Sequence, residues 1–133
     1  MPPGDHLDSG EAPHAGALRE LREELDGEGQ LIDLSGAPYM GTTSAAQLPV
    51  PFCILEESIP ASAGDCTGHV HLDFIYVAKL DHRQHLNVRT EEIERGCWFT
   101  IPDLAAVETC ESVIAVCRAI SARWQAHATN DRP

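Results

Sequence analysis

Basic residues are scarce in this chain. Nine Lys and Arg stand against 21 Asp and Glu, a formal net charge of -12. Phosphate backbones and anionic membrane surfaces repel a chain of that sign, which argues against nucleic acid and membrane as main partners. A phosphorylated small molecule stays open, provided a bound cation supplies positive charge. No apolar run approaches the roughly 18 residues of a membrane span. The opening "MPPGDHLDSG" lacks the basic and apolar stretches of a signal peptide. Paired cysteine spacings are missing too. Cys53, Cys66, Cys97, Cys110 and Cys117 are scattered and odd in number, as expected of reduced thiols in a cytoplasmic protein. There is no internal repeat and no long low-complexity tract.

What is present fits one domain over 1–133, with 43% hydrophobic residues available for a core. Residues 1–12 read as a loop. Pro13 sits where proline is tolerated, in a first helical turn, and Asp26-Gly27 marks that helix's end. Strands are expected at Gln30–Leu34, at Phe52–Ile59, through "HVHLDFIYVAKL" from His69 to Leu80, and in "GCWFTI" from Gly96 to Ile101. "PDLAAV" from Pro102 reads as a short helical turn. A final helix is expected through "TCESVIAVCRAISARWQAH", with Val113, Val116, Cys117, Ile120 and Trp124 at spacings of three and four on one face. Trp98 and Trp124 are expected in the core, and residues 127–133 as a disordered tail. The order of elements predicts a sheet between helices, an α/β arrangement.

The first helix carries the chemistry. At 100° per residue, Ala17, Leu18, Leu21 and Leu25 share an arc of about 100°, a core-facing stripe. Glu20, Glu23 and Glu24 fall together on the adjoining arc. Like charges at these spacings destabilise a helix by about 0.2–0.5 kcal/mol per pair. A glutamate-rich helical face is commonly just solvated. A hard divalent cation, Mg²⁺ or Mn²⁺, would remove the conflict by taking the carboxylate oxygens as ligands.

The longer pattern favours the cation. "GE", seven residues, then "RELREE" resembles the core of the Nudix hydrolase box, with Glu11, Arg19, Glu20, Leu21, Glu23 and Glu24 at matching positions. "PGDHLDSGE" is similar to the segment that opens the box. Asp5 replaces its first glycine, and Asp26 its closing glycine, with Gly27 one residue late. The resemblance continues more loosely through "HVHLDFIYVAKL" and "EIERGCWFTIPDL". It implies an α/β/α sandwich with a mixed sheet. It also implies that the N-terminal strands usual ahead of the box are lacking, so the domain is expected to be partial.

The resemblance further implies Mg²⁺-dependent hydrolysis of a diphosphate linkage in a nucleoside diphosphate joined to another group. Glu20, Glu23, Glu24 and Glu11 are the implied metal ligands. Glu20, Glu23, Glu24 and Arg19 are the implied catalytic set, with Arg19 orienting the glutamates rather than touching substrate. The general base stays open between Glu11 and the helix glutamates. Glu94, with Glu91 and Glu92 as alternatives, is the later-loop carboxylate that many members use. His69, His71 and Asp73 alternate on one strand face. Cys66, His69 and His71 fit zinc only with a second ligand pair, which has no recognisable spacing, so a substrate-facing role for His69 or His71, His71 first, is preferred to zinc. Asp103 reads as a turn or cap residue.

Three readings compete: an active hydrolase, a nucleotide-binding module without turnover, and a non-functional fragment or a piece of an obligate oligomer that completes its sheet in trans. A homodimer belongs with the last. The substrate is not legible.

Overall fold

A computed structural model of the chain describes residues 2–36, 44–61, 67–81 and 97–130, the side chains as far as 127. Helix α1 spans Pro13–Leu25, followed by β1 (Gly29–Ile32), β2 (Cys53–Ile59), β3 (His69–Ile75) and β4 (Val77–Leu80). A 3-10 turn at Asp103–Ala106 precedes α2, Glu111–Asn130. Helices and strands thus combine as an α/β chain, and its elements follow the expected order. Among the described residues, no helix is long and apolar enough to cross a membrane.

Pro13 enters α1 in the first turn, where its missing N–H breaks no helical bond. The helix ends on Asp26 in the left-handed conformation, φ 53°. The Asp26 N–H reaches the Arg22 carbonyl at 3.0 Å, and the Gly27 N–H reaches Leu21 at 3.2 Å. These bonds satisfy carbonyls that the helix end leaves open.

The strands form two antiparallel pairs. β1 pairs with β4, from Gly29↔Leu80 to Ile32↔Val77. β2 pairs with β3, from Cys53↔Ile75 to Ile59↔His69. The single strand expected from His69 to Leu80 is therefore two, because the chain changes pairing partner at Tyr76. No parallel pairing occurs among the described residues. The "GCWFTI" strand is a correction: residues 97–100 have no ladder partner there and form no strand.

Leu21 and Leu34 are the buried apolar residues among those described, 6% and 3% exposed. Leu21 seats α1 on the β1–β4 pair. A Cβ on Gly29 would lie 2.7 Å from Leu21 Cδ2 and 3.3 Å from the Ala78 Cβ, so only glycine leaves room. On α2, Arg123 Nε donates to the Leu34 carbonyl at 3.2 Å, which ties that helix to the segment after β1.

Val113, Val116, Cys117 and Ile120 are half-buried, as their spacing predicts. The two tryptophans correct the expected core. Trp98 is 69% and Trp124 44% exposed, the first outside any strand and the second about one turn beyond the half-buried Ile120. Helix α2 also runs to Asn130, into the segment expected as tail.

Candidate active site

Arg19 is the centre of the polar arrangement on α1. Its Nε donates to Glu11 Oε1 at 3.1 Å and its Nη2 to Glu11 Oε2 at 2.9 Å, a two-pronged grip on one carboxylate. Nη1 donates to Glu23 Oε2 at 3.0 Å and also to Glu20. Nη2 reaches the His6 carbonyl at 3.2 Å, and Asp8 lies 3.7 Å from Nε. One guanidinium thus ties Glu11, Glu20, Glu23 and the chain segment before the helix into one unit.

Burial makes this unit stiff. Glu20 is 6% exposed, a buried carboxylate whose desolvation is offset by its charged partner. Glu23 remains open, its side chain 56% exposed. Hydrogen bonds from Arg19, then the Asp8 N–H, hold the Glu11 carboxyl below its ordinary acidity range. The bonds to Glu11 and Glu23 push Arg19 upward, deeper into its charged form. Arg19 thus bonds Glu11, Glu20 and Glu23 at once.

The opening segment folds back over this cluster. The Gly4 N–H donates to Glu24 Oε1 at 3.3 Å. Asp5 turns its carboxylate to His6 instead, accepting the His6 N–H at 2.7 Å and meeting Nδ1 at 2.8 Å. The His6 ring then stands edge-on to His71, centroids 5.4 Å apart. His71 thus touches the residue whose carbonyl accepts from Arg19. Glu91, Glu92, Glu94 and Cys66 lie outside the described residues. Asp103 accepts a hydrogen bond from Thr100 and opens the 3-10 turn, a local turn role.

Sequence reasoning missed three members of this site. His6 and Asp8 looked like loop. Gly16 is buried in mid-helix, where a Cβ would lie 2.5 Å from Leu7 Cδ2 and 3.1 Å from Glu11 Oε2. The signal was available: glycine inside a helix costs about 1 kcal/mol against alanine and asks for a packing reason.

The donor set suits a hard cation, being made of carboxylate oxygens. Among the described residues no three His, Cys, Asp or Glu side chains converge on one point. The reason is visible in the bonds: Arg19 occupies oxygens of Glu11, Glu20 and Glu23. A shallow cleft of about 290 Å³ lies elsewhere, lined by Leu31–Asp33 and Gln47–Val50. None of the helix glutamates lines it, so it is not the centre of this chemistry.

A NUDIX domain model matches residues 2–115. The crystal structure of a NUDIX-family hydrolase from Clostridium perfringens has a similar fold, with a TM-score of 0.62 at 18% identity, over 85% of this chain and 73% of that one. Comparison with curated proteins gives no match. The matched span contains the whole arginine–glutamate cluster, and the chain therefore belongs to the NUDIX family and is an enzyme of the hydrolase class.

Proposed function

We propose that the chain is a Mg²⁺- or Mn²⁺-dependent hydrolase that cleaves a diphosphate linkage in a nucleoside diphosphate joined to another group. The family gives the coarser statement, hydrolysis at pyrophosphate linkages. The observation that carries the finer one is the arginine-centred cluster, which sets Glu20 and Glu23 in place while Glu24 is held from Gly4.

Glu20, Glu23 and Glu24 are the residues assigned to hold the cation. Bound there, it supplies charge neutralisation for the diphosphate and makes water more acidic. Glu11 is assigned to anchoring Arg19, since that arginine and the Asp8 N–H engage both of its oxygens. Glu23, the most open of the set, is the carboxylate best placed to take a proton from the attacking water. Arg19 keeps the glutamates aligned and has no nitrogen left over for substrate. His71 is assigned to the rim where the rest of the substrate lies.

The unpaired thiols of Cys53, Cys97, Cys110 and Cys117 support a reducing compartment, the cytoplasm. The exposed apolar face of β2–β3 supports a homodimer as the solution state, which sedimentation at several concentrations checks.

The test is a panel of ADP-ribose, dinucleoside polyphosphates and nucleoside triphosphates, with and without Mg²⁺. Cation-dependent cleavage by the wild type should fall about 100-fold or more in Glu23→Gln. Equal cleavage by wild type and variant would sink the role assignment. One observation favours a second reading, a nucleotide-binding module without turnover: among the described residues no three donors converge. Calorimetric binding of a nucleotide with no product across the panel would select it.

A further inference from the structure

The hairpin of β2 and β3 pairs His71, which the hydrolytic reading places at the substrate rim, with a second histidine that this reading leaves without a role. His69 and His71 alternate on one face of β3, and their Nε2 atoms share a hydrogen bond of 3.0 Å, one ring donating and the other accepting. A bound ion takes the place of that bond once the donating ring carries its proton on Nδ1 instead. Two bonds of about 2.05 Å to one first-row ion, at roughly 90–110°, leave two nitrogens about 3 Å apart. The His6 ring meets His71 edge-on at 5.4 Å and fixes its plane.

The surroundings are acidic. Glu57 is the cross-strand partner of His71, and Asp73 follows on the same face. Asp5 is bonded to His6 at 2.8 Å. Neither strand contains a Lys or Arg. Paired imidazoles among carboxylates favour a cation over a phosphate.

We propose that His69 and His71 chelate a borderline divalent cation of the Zn²⁺ or Ni²⁺ type, at a site separate from the carboxylates of α1. Imidazole nitrogens select such ions over Mg²⁺, and carboxylate oxygens do the reverse. The sequence offered no second ligand pair for zinc. The structure offers two converged nitrogens instead, with water completing the shell and Glu57 and Asp73 adding charge. When filled, the site presents a cation to the rim of the hydrolytic cluster rather than two neutral rings. The proposal does not depend on the hydrolytic reading, and its failure leaves that reading intact.

The test is calorimetric titration of Zn²⁺, and separately Ni²⁺, into the full chain in excess Mg²⁺. One equivalent should bind, with the ring resonances of His69 and His71 shifting in NMR spectra. His69→Gln and His71→Gln should each weaken binding at least tenfold, Glu57→Gln severalfold, and Glu24→Gln not at all. Circular dichroism of the ion-free variants checks that they fold, and His69→Gln, at an exposed position, serves if His71→Gln does not. No uptake by the wild type, or uptake unchanged in both histidine variants, overturns the proposal. In the second outcome the ion sits on the cysteines or elsewhere.

Discussion

The α1 cluster and the β2–β3 hairpin invert the usual rule of burial. On α1 a carboxylate, Glu20, is 6% exposed. On the hairpin, Leu72 is 58%, Val70 53% and Ile54 52% exposed. Both regions alternate or repeat as their periods require, so local pattern does not explain the difference. Partners do. Glu20 is buried because Arg19 meets it, and Leu72 is open because no described element covers that face. Charge–charge contacts give one region a defined geometry, while the other, among the described residues, is held by its ladder and by ring contacts, one of them from His6.

Arg19→Lys should break the comparison hardest. A lysine has one charged point and cannot grip Glu11 with two nitrogens while also meeting Glu20 and Glu23. A misplacement of about 1 Å lowers turnover about 100-fold, and that loss of kcat is expected, with a clear fall in melting temperature. Near-normal kcat would show that the cluster is held by something else.

Acid should loosen the same region. Folding lowers the carboxyls of Glu11 and Asp5 below their ordinary 4.5 and 3.8, through Arg19 and the His6 N–H respectively. Their stabilising contribution is whole above about pH 5 and is lost as pH falls through the lowered folded values. The melting temperature should therefore drop between about pH 5 and pH 3, less steeply in Glu11→Gln than in the wild type. Parallel curves for the two proteins would rule out Glu11 as a source.

Gly16→Ala separates geometry from stability. The added methyl crowds Leu7 and Glu11 Oε2, while alanine favours the helix by about 1 kcal/mol. Stability should change little, but kcat should fall roughly tenfold as Glu11 shifts under Arg19. Asp26→Gly relieves a left-handed residue at the helix end and should raise stability by about 0.5–1 kcal/mol, or roughly 2–4 °C. On the hairpin, Leu72→Thr should be within about 0.5 kcal/mol of neutral. A larger loss, coupled to dissociation in sedimentation, would mean that a second copy covers the face.

Much of this was legible in the sequence. The spacing of Glu20, Glu23 and Glu24 places them on one arc of a helix, with Arg19 further round, and Pro13 and Asp26-Gly27 bound that helix. Helical spacing is a local property, so it reads directly. The break at Tyr76 was not legible, because β3 and β4 differ in which distant strand they pair with, not in composition. The exposure of Trp98 and Trp124 was hidden for the same reason: burial depends on what packs against a side chain. His6 was invisible because its role arises from a backbone carbonyl and a ring contact, and neither leaves a motif.

Titration of Mn²⁺ into the folded wild type and into the double variant Glu23→Gln/Glu24→Gln tests the central claim most directly. A hard ion bound by the α1 carboxylates predicts uptake by the wild type and at least a tenfold weaker affinity in the variant, with both proteins folded by circular dichroism. No uptake by the folded wild type, or equal affinity in the two, would contradict the account.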